Sequence, residues 1–170
     1  MKLYKNYIDG KWLESESKDI IQVDDPATGK IIGEISCAKK NEVDLAVSAA
    51  KAAFNSRVLV DMPLLERAKL MHRIADETRK IADEGGKILC YENGKMLGSA
   101  IKEFNDVADM FDYYAGLTDK LEGKTIPISP TVFDYTVLDP FGVSAHIVPW
   151  NFPISMVGRS LACSFATGNS

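Results

Sequence analysis

The chain has 170 residues, of which 46% are apolar and 26% are charged, an ordinary composition for a globular protein. Its formal net charge of −4 and the lack of a basic cluster argue against a nucleic-acid-binding surface. No apolar run approaches the length needed to span a membrane. Neither a nucleic acid nor a membrane is therefore an expected partner.

The cysteines and the first residues indicate a compartment. Cys37, Cys90 and Cys163 are odd in number and widely spaced, which favours free thiols over a disulfide framework. The N-terminus lacks the apolar core of a signal peptide. We therefore expect a reducing, cytoplasmic environment.

Strand signals come first along the chain. Residues 4–8 and 12–13 flank Asp9-Gly10, a dipeptide typical of a tight hairpin. Residues 20–23 and 30–35 are predicted to form a second antiparallel pair across a turn that contains proline and glycine.

Helical patterns follow the strands. Asn41 is expected to cap a helix that reaches Phe54 and packs its small side chains on a sheet. Pro63 opens a longer helix with a continuous apolar stripe, and Gly85-Gly86 is expected to break or re-aim it.

Two further helices are predicted after that break. A short one covers residues 87–92 and ends at Asn93-Gly94, because glycine is a natural residue just past a helix end. The second covers residues 99–115, where apolar residues recur at helical spacing.

Residues 125–170 carry few charges, which favours a segment that is buried beneath another part of the protein or a partner. Only Asp134, Asp139 and Arg159 are charged among residues 125–170. Residues 123–130 are predicted to form a loop. Residues 131–138 have strong β-propensity and are predicted to form a strand without a return partner.

A strand is also predicted for residues 143–148, buried on both faces because the run lacks polar alternation. Pro149 should end this strand, and Pro153 fits the first turn of a helix over residues 153–166. Asn151 would then be held at the carboxyl edge of a sheet, where ligands bind in open α/β folds. Its uncharged amide could donate hydrogen bonds to an oxyanion. The alternative is an asparagine that caps the helix or stabilises the turn.

Four motifs occur in the order found in a known superfamily. The chain resembles the NAD(P)-dependent aldehyde dehydrogenases over essentially its whole length, as their N-terminal portion. The motifs are Asp25-Pro26-Ala27-Thr28-Gly29-Lys30, Glu92-Asn93-Gly94-Lys95, Tyr113-Tyr114-Ala115-Gly116, and Pro149-Trp150-Asn151-Phe152-Pro153 between Asp139-Pro140-Phe141-Gly142-Val143 and Gly168-Asn169.

The resemblance implies an α/β fold: an incomplete Rossmann-like dinucleotide-binding domain with N-terminal antiparallel strands, a helical layer and the start of an oligomerisation arm. Residues 1–124 would be the N-terminal part of the cofactor-binding domain. Residues 125–142 would start the arm of a homo-oligomer, and residues 143–170 would be the first strand–helix unit of the dinucleotide-binding core. The chain contains no Gly-x-Gly-x-x-Gly fingerprint, and the superfamily lacks it too.

The resemblance also implies roles for single residues. Asn151 would donate to the oxyanion of a thiohemiacetal. Ile147, Val148, Pro149 and Trp150 would line the cleft for NAD or NADP. For Ile147 and Val148, packing at the end of a strand is an equally good interpretation. No metal site is predicted.

The implied reaction oxidises an aldehyde to a carboxylic acid through a cysteine nucleophile. Cys37, Cys90 and Cys163 all lack the context of that nucleophile, so the chain is predicted to be inactive alone. Two alternatives stay open. One is a non-catalytic assembly or binding module produced by truncation, and the other is a semialdehyde or acylating relative.

Overall fold

The computed structural model describes residues 1–170 and has an α/β architecture, as predicted. Three small sheets have the strand orders β1-β5-β4, β2-β3 and β6-β7. The strands are β1 (Leu3–Tyr4), β2 (Asn6–Ile8), β3 (Lys11–Leu13), β4 (Ile20–Asp25), β5 (Lys30–Ser36), β6 (Thr125–Ser129) and β7 (Val132–Tyr135). The helices are α1 (Lys40–Asn55), α2 (Leu64–Lys80), α3 (Ala82–Asn93), α4 (Leu97–Ala115) and α5 (Pro153–Ala166). None of the helices is both long and apolar enough to cross a membrane.

Both N-terminal strand pairs are confirmed as antiparallel. β2 and β3 join across Asp9 and Gly10, which take φ values of 51° and 73°, the left-handed conformation that a tight hairpin turn requires. β4 and β5 pair from Ile20 opposite Ser36 onward. The sequence prediction missed β1, since it placed a single strand at residues 4–8. In the structure Lys5 separates β1 from β2, and β1 pairs in parallel with β5.

Helix α1 starts one residue earlier than its predicted cap. The N-cap is Lys39, so Asn41 lies inside the helix and the capping prediction is wrong. Glu42 explains the start, because its buried carboxylate accepts the backbone N–H of Lys39 and that of Glu16, both at 2.8 Å. The expected packing on a sheet is limited to a small contact with β2, and Val43, Leu45 and Val47 are about half exposed.

The break in the helical layer lies before the glycine pair. α2 ends at Lys80 and α3 begins at Ala82, so Gly85-Gly86 lies inside a helix and that prediction is wrong. An added Cβ at Gly85 would lie 2.2 Å from the Phe104 ring, and one at Gly86 would lie 2.5 Å from Ile101. These glycines therefore let α3 approach α4 closely. Gly94, with φ of 72°, ends α3 as predicted.

Helix α4 is the centre of the fold and packs against α2, α3 and α5. Small and large apolar side chains from three helices form the core. Its members are Met71 and Ala75 from α2, Val107, Ala108, Phe111 and Ala115 from α4, and Ala162 and Ala166 from α5. Gly158 brings α5 onto α4, because an added Cβ there would lie 2.7 Å from Val107.

The predicted loop at residues 123–130 contains a strand. The strand predicted within residues 131–138 is confirmed as β7. It pairs antiparallel with β6, so the predicted loop and the predicted lack of a return partner are both wrong. Pro127 lies opposite Phe133 in this ribbon. A two-stranded ribbon tolerates a proline because each strand has a free edge, where no N–H is needed.

Residues 143–148 are extended but form no strand, contrary to the prediction. The expected burial on both faces is also wrong, since Ile147 is 98% exposed. The only backbone pairing here is at the start of the segment: Ser170 N–H donates to Gly142 at 2.8 Å, and Ser144 N–H donates to Ser170 at 2.7 Å. That is the pattern of a parallel pair, and without further partners a ladder cannot extend.

The carboxylate of Glu42 should make stability depend on pH. Hydrogen bonds from the backbone of Glu16 and then Lys39 lower the pKa of Glu42 below its usual value. Its contribution is therefore present above the unfolded-state pKa and is lost as the pH falls through the folded-state pKa. We expect Glu42→Gln to lower Tm at neutral pH, with a smaller difference in acid. Thermal melts of both proteins across the pH range measure this, and Glu122→Gln at an exposed site is the control. Equal Tm values for the two variants at pH 7 would contradict the assignment.

The contact of Gly158 with α4 gives a second prediction. Gly158→Ala should reduce the free energy of unfolding by about 1–3 kcal/mol, because the added methyl group overlaps Val107. Gly98→Ala is the matched control, since an added Cβ there meets nothing within 4 Å in α4. Urea denaturation measures both variants. A Gly158→Ala protein as stable as the control would show that α5 does not pack this closely.

Candidate active-site corner around Asn151

The residues Pro149 to Pro153 form a sharp corner between the extended segment and α5. Pro153 is the first residue of α5, and Phe152 is its N-cap with an extended φ of −138°. Asn151 therefore lies just outside the helix, as predicted. Its side chain is exposed and makes no hydrogen bond within the chain, and the N-cap residue Phe152 provides no side-chain cap for α5. The alternative in which Asn151 caps this helix does not hold in the structure.

The backbone of the corner is tethered to the end of α3 and to the segment that follows it. The Asn93 amide donates to the carbonyl of Trp150 at 3.0 Å, and the Lys95 ammonium donates to the carbonyl of Asn151 at 2.8 Å. The same ammonium lies 4.1 Å from the centre of the Phe152 ring, a cation–π contact. Gly94 reverses the chain between these two donors, so both reach the corner.

Glu103 joins Lys95 to the first turn of α5. Its carboxylate forms an ion pair with Lys95 and also accepts the N–H of Ser155 at 3.2 Å. The two charged side chains are only 12% and 3% exposed. Because the first N–H groups of a helix have no partner inside it and carry partial positive charge, a carboxylate is well placed there.

The other end of α5 is held by a buried arginine. The Arg67 guanidinium donates to the carbonyl of Ala166 at 3.0 Å and to that of Leu59 at 2.6 Å. Burial lowers the pKa of Arg67 from its ordinary value. Gly168, with φ of 87°, turns the chain beside this guanidinium, since an added Cβ there would lie 3.6 Å from its nitrogens.

Asn169 ties the start of the extended segment to α5. Its side-chain oxygen accepts the N–H of Gly142 at 2.9 Å in a buried contact. Its amide nitrogen donates to the hydroxyl of Thr167 at 2.8 Å. The segment that leads to Asn151 is thus fixed at residue 142 and again at residue 150.

The four residues predicted to contact a cofactor lie in the extended segment directly before Asn151. Ile147 is 98% exposed and Trp150 is 83% exposed, while Val148 is half-buried. Together with Pro149 they are apolar residues that directly precede Asn151 in the chain. Their role in cofactor binding stays a prediction.

The structure does not bring the cysteines and histidines together into a cluster that could hold a metal ion. All three cysteines are free and partly buried, as expected. Cys163 lies on α5, and its thiol donates to the carbonyl of Ser160 at 3.2 Å. His72 lies on the surface of α2, where Asp112 contacts its ring at 2.6 Å.

The sequence analysis missed the supporting residues Asn93, Lys95 and Glu103. One signal was available, because Glu103 interrupts the apolar face of α4 between Ala100 and Val107. A charge at such a position is rarely buried unless it is paired. Its partner could not be identified, since Lys95 precedes the helix and the corner is some fifty residues further along.

Comparison with known proteins decides the family. A sequence profile described as the aldehyde dehydrogenase family matches residues 12–170. The chain belongs to the aldehyde dehydrogenase family. The D-glyceraldehyde dehydrogenase (NADP(+)) of Thermoplasma acidophilum is 36% identical over 169 residues, which are 98% of this chain and 34% of that protein. The predicted resemblance is therefore confirmed.

Solved structures agree with this assignment. The NAD-dependent aldehyde dehydrogenase of Sinorhizobium meliloti superposes with a TM-score of 0.94 at 30% identity, covering 100% of this chain and 34% of that one. The betaine aldehyde dehydrogenase of Staphylococcus aureus, solved in complex with NAD+, superposes with a TM-score of 0.92 at 30% identity, covering 98% and 33%. The chain thus spans about a third of the length of the relatives it matches, and it has the fold of their N-terminal part.

Proposed function

We propose that these residues are the N-terminal part of an NAD(P)-dependent aldehyde dehydrogenase that converts an aldehyde to a carboxylic acid. The observation that carries the proposal is the Asn151 carboxamide, which is exposed, uncharged and without a hydrogen-bond partner in the chain. It lies at a corner that is restrained by three hydrogen bonds to the backbone and by the cation–π contact of Lys95 with Phe152. In a family whose members oxidise aldehydes, such a donor suits an oxygen that becomes negative during the reaction.

The proposed step begins when a thiolate attacks the aldehyde carbon. A C–S bond forms, the carbonyl π electrons move to oxygen, and the N–H groups of Asn151 donate to the resulting oxyanion. We assign the thiolate to a cysteine outside these 170 residues, because Cys37, Cys90 and Cys163 lack the sequence context of the family's nucleophile. A glutamate that activates water for thioester hydrolysis is assigned outside them as well.

NAD or NADP is the proposed cofactor, since relatives of both preferences match the chain. When bound, NAD(P)+ would supply the hydride acceptor that the oxidation of the thiohemiacetal to a thioester requires. The exposed Ile147 and Trp150, with Val148 and Pro149 between them, offer apolar contacts to a dinucleotide directly before Asn151 in the chain. Cofactor sites are commonly lined by apolar and aromatic groups.

We further propose a cytoplasmic homo-oligomer whose subunits meet through the β6–β7 ribbon. The ribbon exposes Phe133, Tyr135 and Ile128 to 76%, 59% and 61%. Such an apolar edge favours association. The same surfaces also support the alternative of a non-catalytic assembly or binding module.

The first test separates these two functions. The 170-residue chain alone should form no NAD(P)H from an aldehyde and NAD(P)+, because it lacks the thiolate. A polypeptide in which these residues continue to the length of the relatives should form it. Absorbance of the reduced cofactor measures both reactions. Turnover by the short chain would refute the assignment of the thiolate, and none by the longer one would favour the binding module.

The second test addresses Asn151 in the longer polypeptide. Asn151→Ala should lower kcat by roughly 10²–10³-fold, the usual effect of losing one oxyanion donor. Asn55→Ala removes another exposed amide without a hydrogen bond in the chain and serves as the control. Steady-state kinetics measures both variants. Unchanged kcat in Asn151→Ala would remove this residue from the mechanism.

A further inference from the structure

Three side chains outside the predicted site converge on the corner that carries Asn151. Asn93 and Lys95 bond the carbonyls of Trp150 and Asn151, and Glu103 bonds both Lys95 and the N–H of Ser155. We propose that Asn93, Lys95 and Glu103 form a clamp that positions the Asn151 amide for the oxyanion. The inference rests on the proposed function and names the residues through which it is achieved.

Stability alone does not account for the clamp. Glu103 lies on the apolar face of α4, where neighbours such as Ala100 and Phe104 are buried. Replacing a buried ion pair with apolar side chains is often neutral or stabilising, because removing both charges from water is expensive. A buried ion pair at such a position favours a geometric role over a role in stability.

The contacts of the clamp lie at Asn151 itself and on both sides of it along the chain. Lys95 holds the backbone oxygen of Asn151, while Glu103 holds the N–H of Ser155, four residues further on. Asn93 holds the preceding carbonyl, that of Trp150. The backbone on both sides of the Phe152-Pro153 peptide is therefore fixed with respect to α3 and α4.

The clamp leaves the reactive group free. At Asn151 the clamp contacts the backbone oxygen and not the side chain, so the carboxamide keeps its N–H donors for a ligand. Asn93, Lys95 and Glu103 are thus positioning residues, not catalytic ones. Because catalysis depends on geometry at the scale of about 1 Å, loosening the corner should slow the chemical step by up to roughly 10²-fold.

The test uses steady-state kinetics of the longer polypeptide. Lys95→Met should lower kcat by roughly 10- to 100-fold with little change in the KM for the aldehyde. Asn93→Ala should lower kcat by a smaller factor, because it removes one tether and leaves the ion pair. Lys102→Met is the matched control: it removes an exposed lysine of α4 that pairs with Asp106, and kcat should not change.

A double-mutant cycle distinguishes positioning from general damage. In an Asn151→Ala background, Lys95→Met and Asn93→Ala should have little further effect on kcat, since there is no amide left to position. Multiplicative losses would overturn the proposal, and so would unchanged kcat in both single variants. Should Lys95→Met fail to fold, Asn93→Ala decides, because its side chain is only partly buried and lies outside the core.

The two proposals fail in different ways. If Asn151→Ala itself leaves kcat unchanged, the proposed function of Asn151 fails and the clamp has nothing to position. If Asn151→Ala slows the reaction while folded Lys95→Met and Asn93→Ala do not, only the clamp is refuted.

Discussion

The carboxylate of Glu103 is the point at which the structure around Asn151 is fixed. It lies inside the contact between α4 and α5, with Lys95 on one side and the N–H of Ser155 on the other. A buried carboxylate needs both kinds of partner, a charge to neutralise it and donors to satisfy its oxygens. Meeting that requirement brings the end of α3, the face of α4 and the start of α5 to one place. The exposed corner then takes its position from the interior of the molecule.

Three of the four motifs that reveal the family are joined by contacts. An added Cβ at Gly94 would lie 2.9 Å from Pro26, so the turn between β4 and β5 packs against the end of α3. That turn is itself rigid, because Asp25 accepts the N–H of Ala27 at 2.9 Å and the hydroxyl of Thr28 at 2.8 Å. The motif with Lys95 in turn supports the motif with Asn151. These sequence features are therefore successive parts of a single support.

Features decided by local chemistry could be predicted from the sequence. The turn at Asp9-Gly10, the helix end at Gly94 and the helix start at Pro153 all follow from backbone preferences of the residues themselves. The position of Asn151 just outside α5 follows from the same rules. Features that depend on a distant partner could not be predicted. Gly85 and Gly86 lie inside a helix because α4 needs the space.

Strands show the same distinction. Residues 143–148 have the composition of a buried strand, yet a strand exists only where neighbours supply its hydrogen bonds, and here only Ser170 does so. β6 was missed because a segment that contains proline is typical of a loop. The partner strand β7 nevertheless makes it a strand, since Pro127 is tolerated at a free edge of the ribbon. The clamp could not be found because its members are separated by up to some sixty positions from the backbone they hold.

The most direct test of this account is amide hydrogen exchange of Ser155, measured by NMR in the 170-residue chain. Ser155 is the third residue of α5, so no helical carbonyl can accept its N–H, and Glu103 is its partner in the structure. We predict slow exchange of this amide in the parent chain and fast exchange in Glu103→Gln, while amides in the middle of α5 keep their protection. Exchange at the rate of an unstructured peptide in the parent, or protection unchanged by Glu103→Gln, would contradict the claim that Glu103 fixes the corner.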